Sequence, residues 1–402
     1  MKGRVILIDK PPTAPRWGAL VEDGRLIDLV VDPSSAGNSL QLCEPCPGSI
    51  YLGKCKSIGP GRGAAFMDIG DGFTAYLRTP DPIRAGETRL IQIMSYPEPG
   101  KAPPATDRIV YKGQLVVVTP NVPGVNISRR IKDKEERERL QGYANVAIEH
   151  WRQPPKDRLV ADVGPLLESA GIVIRSNARG QSFEWIKHDL RQVLQQWFDV
   201  LNDPDTQSGH GVRWRDSPVL RTAFTEWSPP SPDRIVHSVY GPFENSDFDI
   251  GVLVSERSWI SLIEPFDGPD LFDHYGVWDE IERLKSPRSD LPSGAWMAVE
   301  ATRAMVTVDV NTAGEFGGGA PLTANLEAAR ELPRQLRLRG LGGQIIIDFA
   351  PLKKTDRKRV EEALKAAFRR DPIETTLAGW TPLGNFELQR KRARRPLSEL
   401  LP

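Results

Sequence analysis

Two aspartates stand in strand-like runs near the end of the chain, where a carboxylate is out of place. Asp309 lies in the β-rich run 305–311, and Asp348 lies in the apolar run 345–349. Side chains two residues apart point to the same face of a strand, so Asn311 projects beside Asp309. An ionised carboxylate in an apolar run needs a partner. Both aspartates are therefore candidates for holding a metal ion.

If the two strands are parallel neighbours, their carboxylates converge at the sheet edge where α/β proteins place their sites. Two aspartate oxygens, waters and a phosphate oxygen make an octahedral Mg²⁺ shell. Such an ion polarises a phosphodiester and activates a water for in-line attack, and Asn311 could orient that water or an aspartate. The structural alternative is that Asp309 ends a strand and Asp348 pairs with Arg337 or Arg339.

The elements that must position these residues follow a regular order. The pattern predicts strand 305–310, a glycine loop at 317–319, helix 322–339, strand 344–349 and helix 356–368. Strand, helix, strand and helix in succession indicate an α/β layer with neighbouring parallel strands.

The chain before this layer is richer in β-signals. Residues 18–21 and 25–31 read as a hairpin, and glycine-punctuated runs over 48–94 suggest a small β-barrel. Apolar residues at helical spacing behind Ser182 predict an amphipathic helix. The polar, proline-rich stretch 202–232 indicates a domain boundary or a long connection.

Composition limits the class of protein. The 402 residues carry 53 Lys and Arg against 53 Asp and Glu, so bulk polycation behaviour is excluded as the source of any nucleic-acid binding. The length favours two to four domains. A signal peptide and a membrane-spanning run are both absent from the pattern, which predicts a cytoplasmic protein.

Three cysteines, Cys43, Cys46 and Cys55, are too few for a disulfide framework. Cys43 and Cys46 form a Cys-x-x-Cys, one ligand short of a closed zinc site even with Cys55. We favour small apolar fillers over zinc at Cys43 and Cys46, although a shared half-site stays open.

Several segments carry a resemblance to a known family. They are 63–70 with Tyr76 and Leu77, 127–131, 171–176, 308–312, 325–329, 334–339 and 341–349. In order and spacing they resemble consecutive motifs of bacterial ribonuclease E/G, with a poorly matching patch over 202–269.

The resemblance implies a mixed α/β (α+β) fold: a ribonuclease H-like scaffold with an inserted S1 (OB-type) β-barrel and a 5′-sensor, followed by a DNase I-like catalytic region. The corresponding boundaries are 1–38 for the first scaffold part, 39–112 for the barrel, 113–210 for the sensor, 211–285 for the second scaffold part and 286–402 for the catalytic region.

Carried over position by position, the resemblance makes Asp309, Asn311 and Asp348 catalytic, with Asp309 and Asp348 holding Mg²⁺ or Mn²⁺. The implied products are a 5′-phosphate and a 3′-hydroxyl. The implied RNA contacts are Phe66, Tyr76, Lys101, Arg129 and Arg130. The implied 5′-phosphate contacts are Gly113, Val117, Arg175 and Ser176. Taken alone, Phe66 reads as a barrel core residue, Lys101 as a solvated loop lysine, and the arginines over 334–339 as a solvated face or a phosphate track.

Four departures from the family bear on the expected activity. Arg303 stands where the family has an acid, close to the site, and Glu374 stands where a basic residue would help the 5′-sensor. The third is the Cys-x-x-Cys just described. The chain also stops soon after Arg395, before the family's zinc link and small domain, so we expect a monomer or dimer rather than the family's tetramer.

The sequence thus favours a magnesium-dependent endoribonuclease that cuts single-stranded RNA in RNA processing or decay. One alternative is an RNA-binding regulator on the same fold with little or no catalysis, which Arg303 and the shortened end motivate. Another is a phosphodiesterase acting on DNA, which rests only on the same metal chemistry.

Overall fold

The structure is a computed structural model, and it describes residues 3–10, 15–32, 44–59, 63–98, 100–120, 122–152, 167–202, 209–228, 230–238, 262–312 and 319–401. Cys43 and residues 317–318 of the predicted glycine loop lie outside these ranges. No helix in the described ranges is long and apolar enough to cross a membrane.

Strands fill the first part of the described chain: β1 Arg4–Asp9, β2 Trp17–Glu22, β3 Arg25–Val31, β4 Ile50–Ile58, β5 Ala64–Asp68, β6 Thr74–Arg78, β7 Thr88–Ile93, β8 Pro104–Thr106, β9 Tyr111–Lys112, β10 Val116–Thr119 and β11 Gly124–Ile127.

Helices and strands then mix: α1 Lys134–Arg152, β12 Gly171–Ile174, α2 Phe183–Asn202, β13 Gly211–Trp214, α3 Pro218–Thr222, β14 Arg234–Ser238, β15 Ile263–Phe266, α4 Leu271–His274, α5 Val277–Leu284, β16 Arg288–Asp290, β17 Trp296–Ala301, β18 Val306–Asn311, α6 Ala320–Leu338, β19 Gly343–Asp348, α7 Lys354–Arg370, β20 Thr375–Trp380 and β21 Phe386–Arg390. Single turns of 3-10 helix cover Ser176–Ala178 and Leu397–Glu399, and a π-helical turn covers Ala223–Trp227.

The first sheet has the strand order β15-β14-β1-β2-β3. β1, β2 and β3 are antiparallel neighbours, whereas β14 and β15 continue the sheet in parallel from β1. Successive residues of β1 point to opposite faces, so Leu7 joins the core beneath α4 and α5 and Ile6 joins the core beneath α3. The hairpin predicted at β2 and β3 is confirmed.

Strands β4, β5, β6, β8 and β7 form a closed five-stranded barrel, because β7 pairs back onto β4. Small and medium side chains such as Ala65, Met67 and Leu77 fill its interior. The predicted β-barrel is confirmed. The strand β13 lies in the segment assigned to the second scaffold part, yet it pairs with β4 on the outside of the barrel.

A third sheet, β11-β12-β10-β9, packs against α1 and α2. The helix predicted behind Ser182 is confirmed as α2, and the Ser182 hydroxyl accepts from Trp185 N at 3.4 Å. Its apolar stripe, including Ile186 and Trp197, is buried in this core.

The last sheet, β16-β17-β18-β19-β21-β20, holds both candidate aspartates. α6 and α7 cover one face, where Val308, Ile347 and Phe386 are buried. β18 and β19 are parallel neighbours, as predicted. We call the other face of this sheet, which carries the exposed Asp309 and Asp348, the open face.

The arginines over 334–339 connect this unit to the first sheet. Arg334 Nε donates to Leu26 O at 2.6 Å, Arg337 bonds Asp371, and Arg339 donates to the carbonyls of Leu284 and Ser286. These three side chains point inward, so the interpretation of the run as a phosphate track or a solvated face is wrong for them.

The basic segment at 389–395 is also structural. Arg390 is 1% exposed and pairs with Asp371 at 3.0 Å, and Arg394 pairs with Asp28 at 3.3 Å. Leu397 beyond it is buried against the first sheet. This segment therefore joins the two sheets rather than forming a solvated tail.

Candidate active site

The two aspartates lie directly opposite each other. β18 and β19 run in parallel, and their register pairs Asp309 with Asp348. Neighbouring strands lie roughly 4.8 Å apart, so the two side chains leave the sheet side by side. Both are exposed on the open face, while the residues next to them point into the core below α6 and α7.

Polar contacts around the pair are few. Asn311 Nδ2 donates to Asp309 Oδ2 at 2.8 Å, as expected for side chains two apart on one face. Among the described residues, no lysine or arginine forms an ion pair with either carboxylate. Arg337 and Arg339 make the inward contacts given above, so the alternative in which they neutralise Asp348 is wrong.

Two side chains of α6 hold the segment after Asp348 and the turn between β16 and β17. Asn325 is fully buried, and its side-chain amide exchanges two hydrogen bonds with the backbone of Ala350, at 2.9 and 3.0 Å. Glu327 accepts from the backbone and hydroxyl of Ser293 in the turn between β16 and β17. These contacts give the 325–329 motif a positioning role beside the site.

The site suits a hard divalent cation. Its donors are carboxylate oxygens, exposed and adjacent, without a protein counter-ion in the described residues. In the described part of the chain, no group of three or more His, Cys, Asp or Glu side chains is arranged to hold a metal ion, so an ion bound here would take its other ligands from water and substrate. Mg²⁺ is commonly held by one or two carboxylates in this way.

Sequence reasoning missed two residues of the open face, Trp296 and Arg288. Trp296 is paired with Asn311 across β17 and β18, and the Arg288 guanidinium lies 4.9 Å from the centre of its indole ring. The alternation of side chains along β17 could have identified Trp296, because Met297 and Val299 point inward and Trp296 must therefore point outward.

Arg303 is not close to the site. It lies in the turn between β17 and β18, closed by the bond from Thr302 N to Met305 O at 2.8 Å. Asp309 follows six residues later, and a strand rises about 3.3 Å per residue, which puts them roughly 20 Å apart. The expectation that this arginine lies close to Asp309 and Asp348 is wrong.

Phe66 and Tyr76 form a cross-strand pair on the barrel. They are directly opposite on β5 and β6, their ring centres are 5.4 Å apart, and both are half-buried. Their strand neighbours fill the barrel interior, so the reading of Phe66 as a core residue is wrong. Lys101 is exposed in the loop before β8, which pairs with β6 at Tyr76, and it forms an ion pair with Glu98 at 2.5 Å.

The barrel meets the last sheet near the start of β18. Tyr96 N donates to Arg392 O at 3.0 Å. A cavity of about 380 Å³ lies at this junction, lined by Lys101 and Pro103 on one side and by Thr302 and Met305 on the other.

Gly113 and Arg175 are brought together, and the backbone amides of 113–116 are all bonded within the protein. Arg175 Nη1 donates to Gly113 O at 2.6 Å, and Gly113 N donates to Val116 O. The amides of 114–116 all bond Asp189, at 2.7 to 2.9 Å. Ser176 follows Arg175 directly, and Val117 lies on β10, the strand next to β12. Arg129 and Arg130 are exposed after β11.

A larger cavity of about 610 Å³ lies between the barrel, α3 and the segments that follow α7 and β21. Its lining includes the cations Lys112, Arg221 and Lys391, together with Glu374 and Glu226. Burial lowers the pKa of Lys112, and the neighbouring charges of Arg221 and Lys391 lower it further. Arg221 is ion-paired with Asp216 and Glu226, which leaves Lys112 and Lys391 to attract an anion into the cavity.

Cys46 and Cys55 are buried free thiols. Cys46 Sγ lies 3.1 Å from Ser49 Oγ, and Cys55 faces the barrel core. Burial, reinforced by Asp216, raises the pKa of Cys46 to about 12. A protonated thiol is a poor metal ligand, which favours the filler interpretation for these two cysteines.

The fold and the site define a mixed α/β protein in which a closed five-stranded barrel adjoins a sheet bearing paired carboxylates. The model of the "Ribonuclease E/G family" matches residues 111–393, well over half of the chain. The chain belongs to the ribonuclease E/G family.

Two groups of relatives are similar to this chain. Ribonuclease G of Salmonella typhimurium (strain SL1344) is 29% identical over 384 residues, covering 88% of this chain and 74% of that protein. Ribonuclease E of Nostoc sp. is 29% identical and that of Synechocystis sp. 31%, each over 88% of this chain. The chain spans about half the length of these ribonuclease E relatives, 52% and 53%.

Proposed function

We propose that this protein is a magnesium-dependent endoribonuclease that hydrolyses single-stranded RNA internally and leaves 5′-phosphate and 3′-hydroxyl ends. The observation that carries the proposal is the register of Asp309 against Asp348. Two exposed carboxylates side by side, with no arginine or lysine paired to them in the described ranges, repel each other unless a cation lies between them. The relatives' names, Ribonuclease G and Ribonuclease E, add that these proteins act on RNA.

Each site residue has a distinct task in this proposal. Asp309 and Asp348 hold the ion, for which Mn²⁺ could substitute. A bound divalent ion supplies Lewis-acid polarisation of the scissile phosphate and lowers the pKa of a water. Asn311 fixes one Asp309 oxygen through its amide N–H, which leaves its own carbonyl oxygen to orient the attacking water.

The substrate would reach the site as a single strand. Phe66 and Tyr76 offer outward aromatic faces on the barrel, and unpaired bases of any sequence stack on such faces. Lys101 is exposed in the neighbouring loop, and Arg129 and Arg130 are exposed after β11, where each can contact phosphates.

We further propose that the 5′-phosphate of the RNA binds near Arg175 and Ser176, with Gly113 and Val117 shaping the pocket. Arg175 uses one guanidinium nitrogen on Gly113 O, and its other donors suit a terminal phosphate. Because the amides of 114–116 are bonded to Asp189, side-chain cations must supply more of the binding here. The adjacent cavity contains Lys112, whose electrostatic neighbours include Arg175.

The first sheet is proposed to be the ribonuclease H-like scaffold and the last sheet, with α6 and α7, the DNase I-like catalytic region. The strand order β3-β2-β1-β14-β15, antiparallel and then parallel, supports the first assignment. The paired carboxylates support the second.

The test is cleavage of one unstructured RNA oligomer that carries either a 5′-monophosphate or a 5′-hydroxyl. We expect internal cutting that requires Mg²⁺ and that falls by roughly a hundredfold or more in Asp309→Asn and in Asp348→Asn. Glu300→Gln is the matched control, because Glu300 is an exposed carboxylate on the same open face. It should cut within a few-fold of wild type.

Different failures point to different errors. RNA that is bound but never cut, with equal affinity for both aspartate variants, would favour the RNA-binding regulator. Equal loss in Glu300→Gln would mean that general charge on the open face matters rather than this pair. A preference for the 5′-monophosphate that disappears in Arg175→Gln would support the sensor, and an unchanged preference would contradict it.

A further inference from the structure

Among the described strand residues of the open face, one is a large aromatic, Trp296, and it lies beside the proposed catalytic residues. The antiparallel register of β17 and β18 pairs Trp296 with Asn311 and Ala298 with Asp309. Residues directly opposite in an antiparallel pair have Cβ atoms about 4.5–5.5 Å apart, and diagonal neighbours lie about 7–8 Å apart. The indole therefore adjoins Asn311 and is within one diagonal step of Asp309.

This tryptophan is not needed by the core. The buried cluster beneath the sheet includes Met297 and Val299, which alternate with Trp296 on β17 and point the opposite way. Trp380 of the same sheet packs against that cluster, whereas Trp296 lies on the other face, half-buried. A half-exposed indole on a polar face is available to a ligand.

The indole is held in place by its neighbours. The Arg288 guanidinium stacks over it at 4.9 Å, and Asp290 fixes Arg288 through its Nε at 2.8 Å. The turn that joins their two strands is bonded to Glu327 of α6 through Ser293. An aromatic ring with a cation over one face matches the chemistry of a nucleotide, which has a flat base and an anionic phosphate.

We propose that Trp296, braced by Arg288, is a stacking platform for the nucleobase next to the scissile phosphate, and so positions the RNA strand over Asp309 and Asp348. This inference rests on the proposed nuclease function and names a substrate contact within it. Stacking tolerates any base but requires one, so the platform selects for an unpaired nucleotide at that place rather than for a sequence.

The first experiment uses RNA oligomers with 2-aminopurine at successive positions around the cleavage site, mixed with the full-length protein in chelator so that nothing is cut. We expect quenching of the fluorophore at one position adjacent to the scissile phosphate. Quenching at that position should be lost in Trp296→Ala and largely restored in Trp296→Phe. The matched control is Thr307→Ala, since Thr307 lies on the same face of β18, on the other side of Asp309.

The second experiment measures cleavage with Mg²⁺. Trp296→Ala should raise KM by roughly 10- to 100-fold, the effect expected for losing one base–aromatic stack, with a smaller change in kcat. Wild type should cleave an oligomer that is abasic at the quenched position more slowly than the intact oligomer, by the same factor. Trp296→Ala should cleave the two oligomers at nearly the same rate. Such non-additivity separates stacking on the indole from a general disturbance of the sheet.

The outcomes distinguish this inference from the function on which it rests. If wild type cuts RNA but the 2-aminopurine pattern and the abasic penalty are the same in Trp296→Ala, the platform is wrong and the nuclease stands. If Thr307→Ala reduces quenching as much as Trp296→Ala does, the effect is structural and the platform is again wrong. If wild type neither binds nor cuts RNA, the proposed function fails and the platform fails with it.

Discussion

Asp371 follows α7 and compensates two buried arginines, which makes its charge costly to remove. Arg390 of β21 is 1% exposed and lies 3.0 Å from Asp371 Oδ1, and Arg337 of α6 bonds Oδ2. Ile373 N also donates to Oδ1, at 2.8 Å. Asp371→Asn keeps the shape of the side chain but leaves both guanidiniums facing a neutral amide.

The size of the effect follows from those contacts. Removing one partner of a buried ion pair costs about 3–5 kcal/mol, because the remaining charge stays desolvated. Arg390 keeps the Thr375 hydroxyl at 2.9 Å, and Arg337 keeps Ile27 O at 3.3 Å. These remaining acceptors place the expected loss at the lower end, about 3 kcal/mol.

Hydrogen exchange followed by mass spectrometry measures this loss locally, which suits a multidomain chain better than a global unfolding curve. Protection of the amides of β19 and β21 should fall by roughly a hundredfold, since about 1.4 kcal/mol corresponds to a factor of ten. The control is Glu361→Gln, which breaks the exposed i,i+4 pair with Lys365 on α7. Such surface pairs contribute about 0.3–0.5 kcal/mol, so protection should barely change.

A loss of protection below about fivefold in Asp371→Asn would refute the reasoning. Such a loss corresponds to about 1 kcal/mol, which is the most that a surface ion pair contributes. Equal losses in the two variants would show that α7 is sensitive to any lost carboxylate.

Three further outcomes are expected. In Gly113→Ala, the added Cβ would meet Asp189 Oδ2 at 2.3 Å, so the third sheet should be less stable and discrimination between 5′-monophosphate and 5′-hydroxyl RNA should be weaker. Hydrogen exchange of the 114–116 amides checks this, and an unchanged exchange rate would contradict it. Hydrogen bonds from Arg139 hold the pKa of Glu136 at about 2, so its contribution to stability is present above the unfolded pKa of 4.5 and is lost as the pH falls toward 2. Hydrogen-exchange protection factors of the α1 amides should therefore change less between pH 2 and 6 in Glu136→Gln than in wild type, and equal changes in the two proteins would disprove the assignment. Arg303→Glu should leave kcat/KM within about threefold of wild type, because the roughly 20 Å between this residue and Asp309 exceeds the Debye length of about 8 Å. A tenfold change would show that this turn contacts the RNA.

Local patterns in the sequence were enough to predict the secondary structure that positions the site. Periodicity two in β18 and the apolar run of β19 predicted the strands, and the intervening helical pattern predicted their parallel pairing. Alternation within one strand also predicted that Asn311 shares a face with Asp309, which the 2.8 Å hydrogen bond confirms.

The partners of the charged residues could not be predicted in this way. Arg334, Arg337 and Arg339 look alike in a basic run, yet they bond a strand edge, a buried aspartate and the carbonyls after a helix. Each of those partners is distant in the sequence, so only packing of the sheets determines which arginines are structural.

The sequence by itself therefore determined the family, the strands that carry the two aspartates and the pairing of Asn311 with one of them. Tertiary structure alone decided that Asp309 faces Asp348 in register, that Arg303 is remote, and that Trp296 and Arg288 lie next to the carboxylates. The physical reason is that side-chain periodicity is a property of one strand, whereas register between strands is fixed by contacts between residues far apart in the chain.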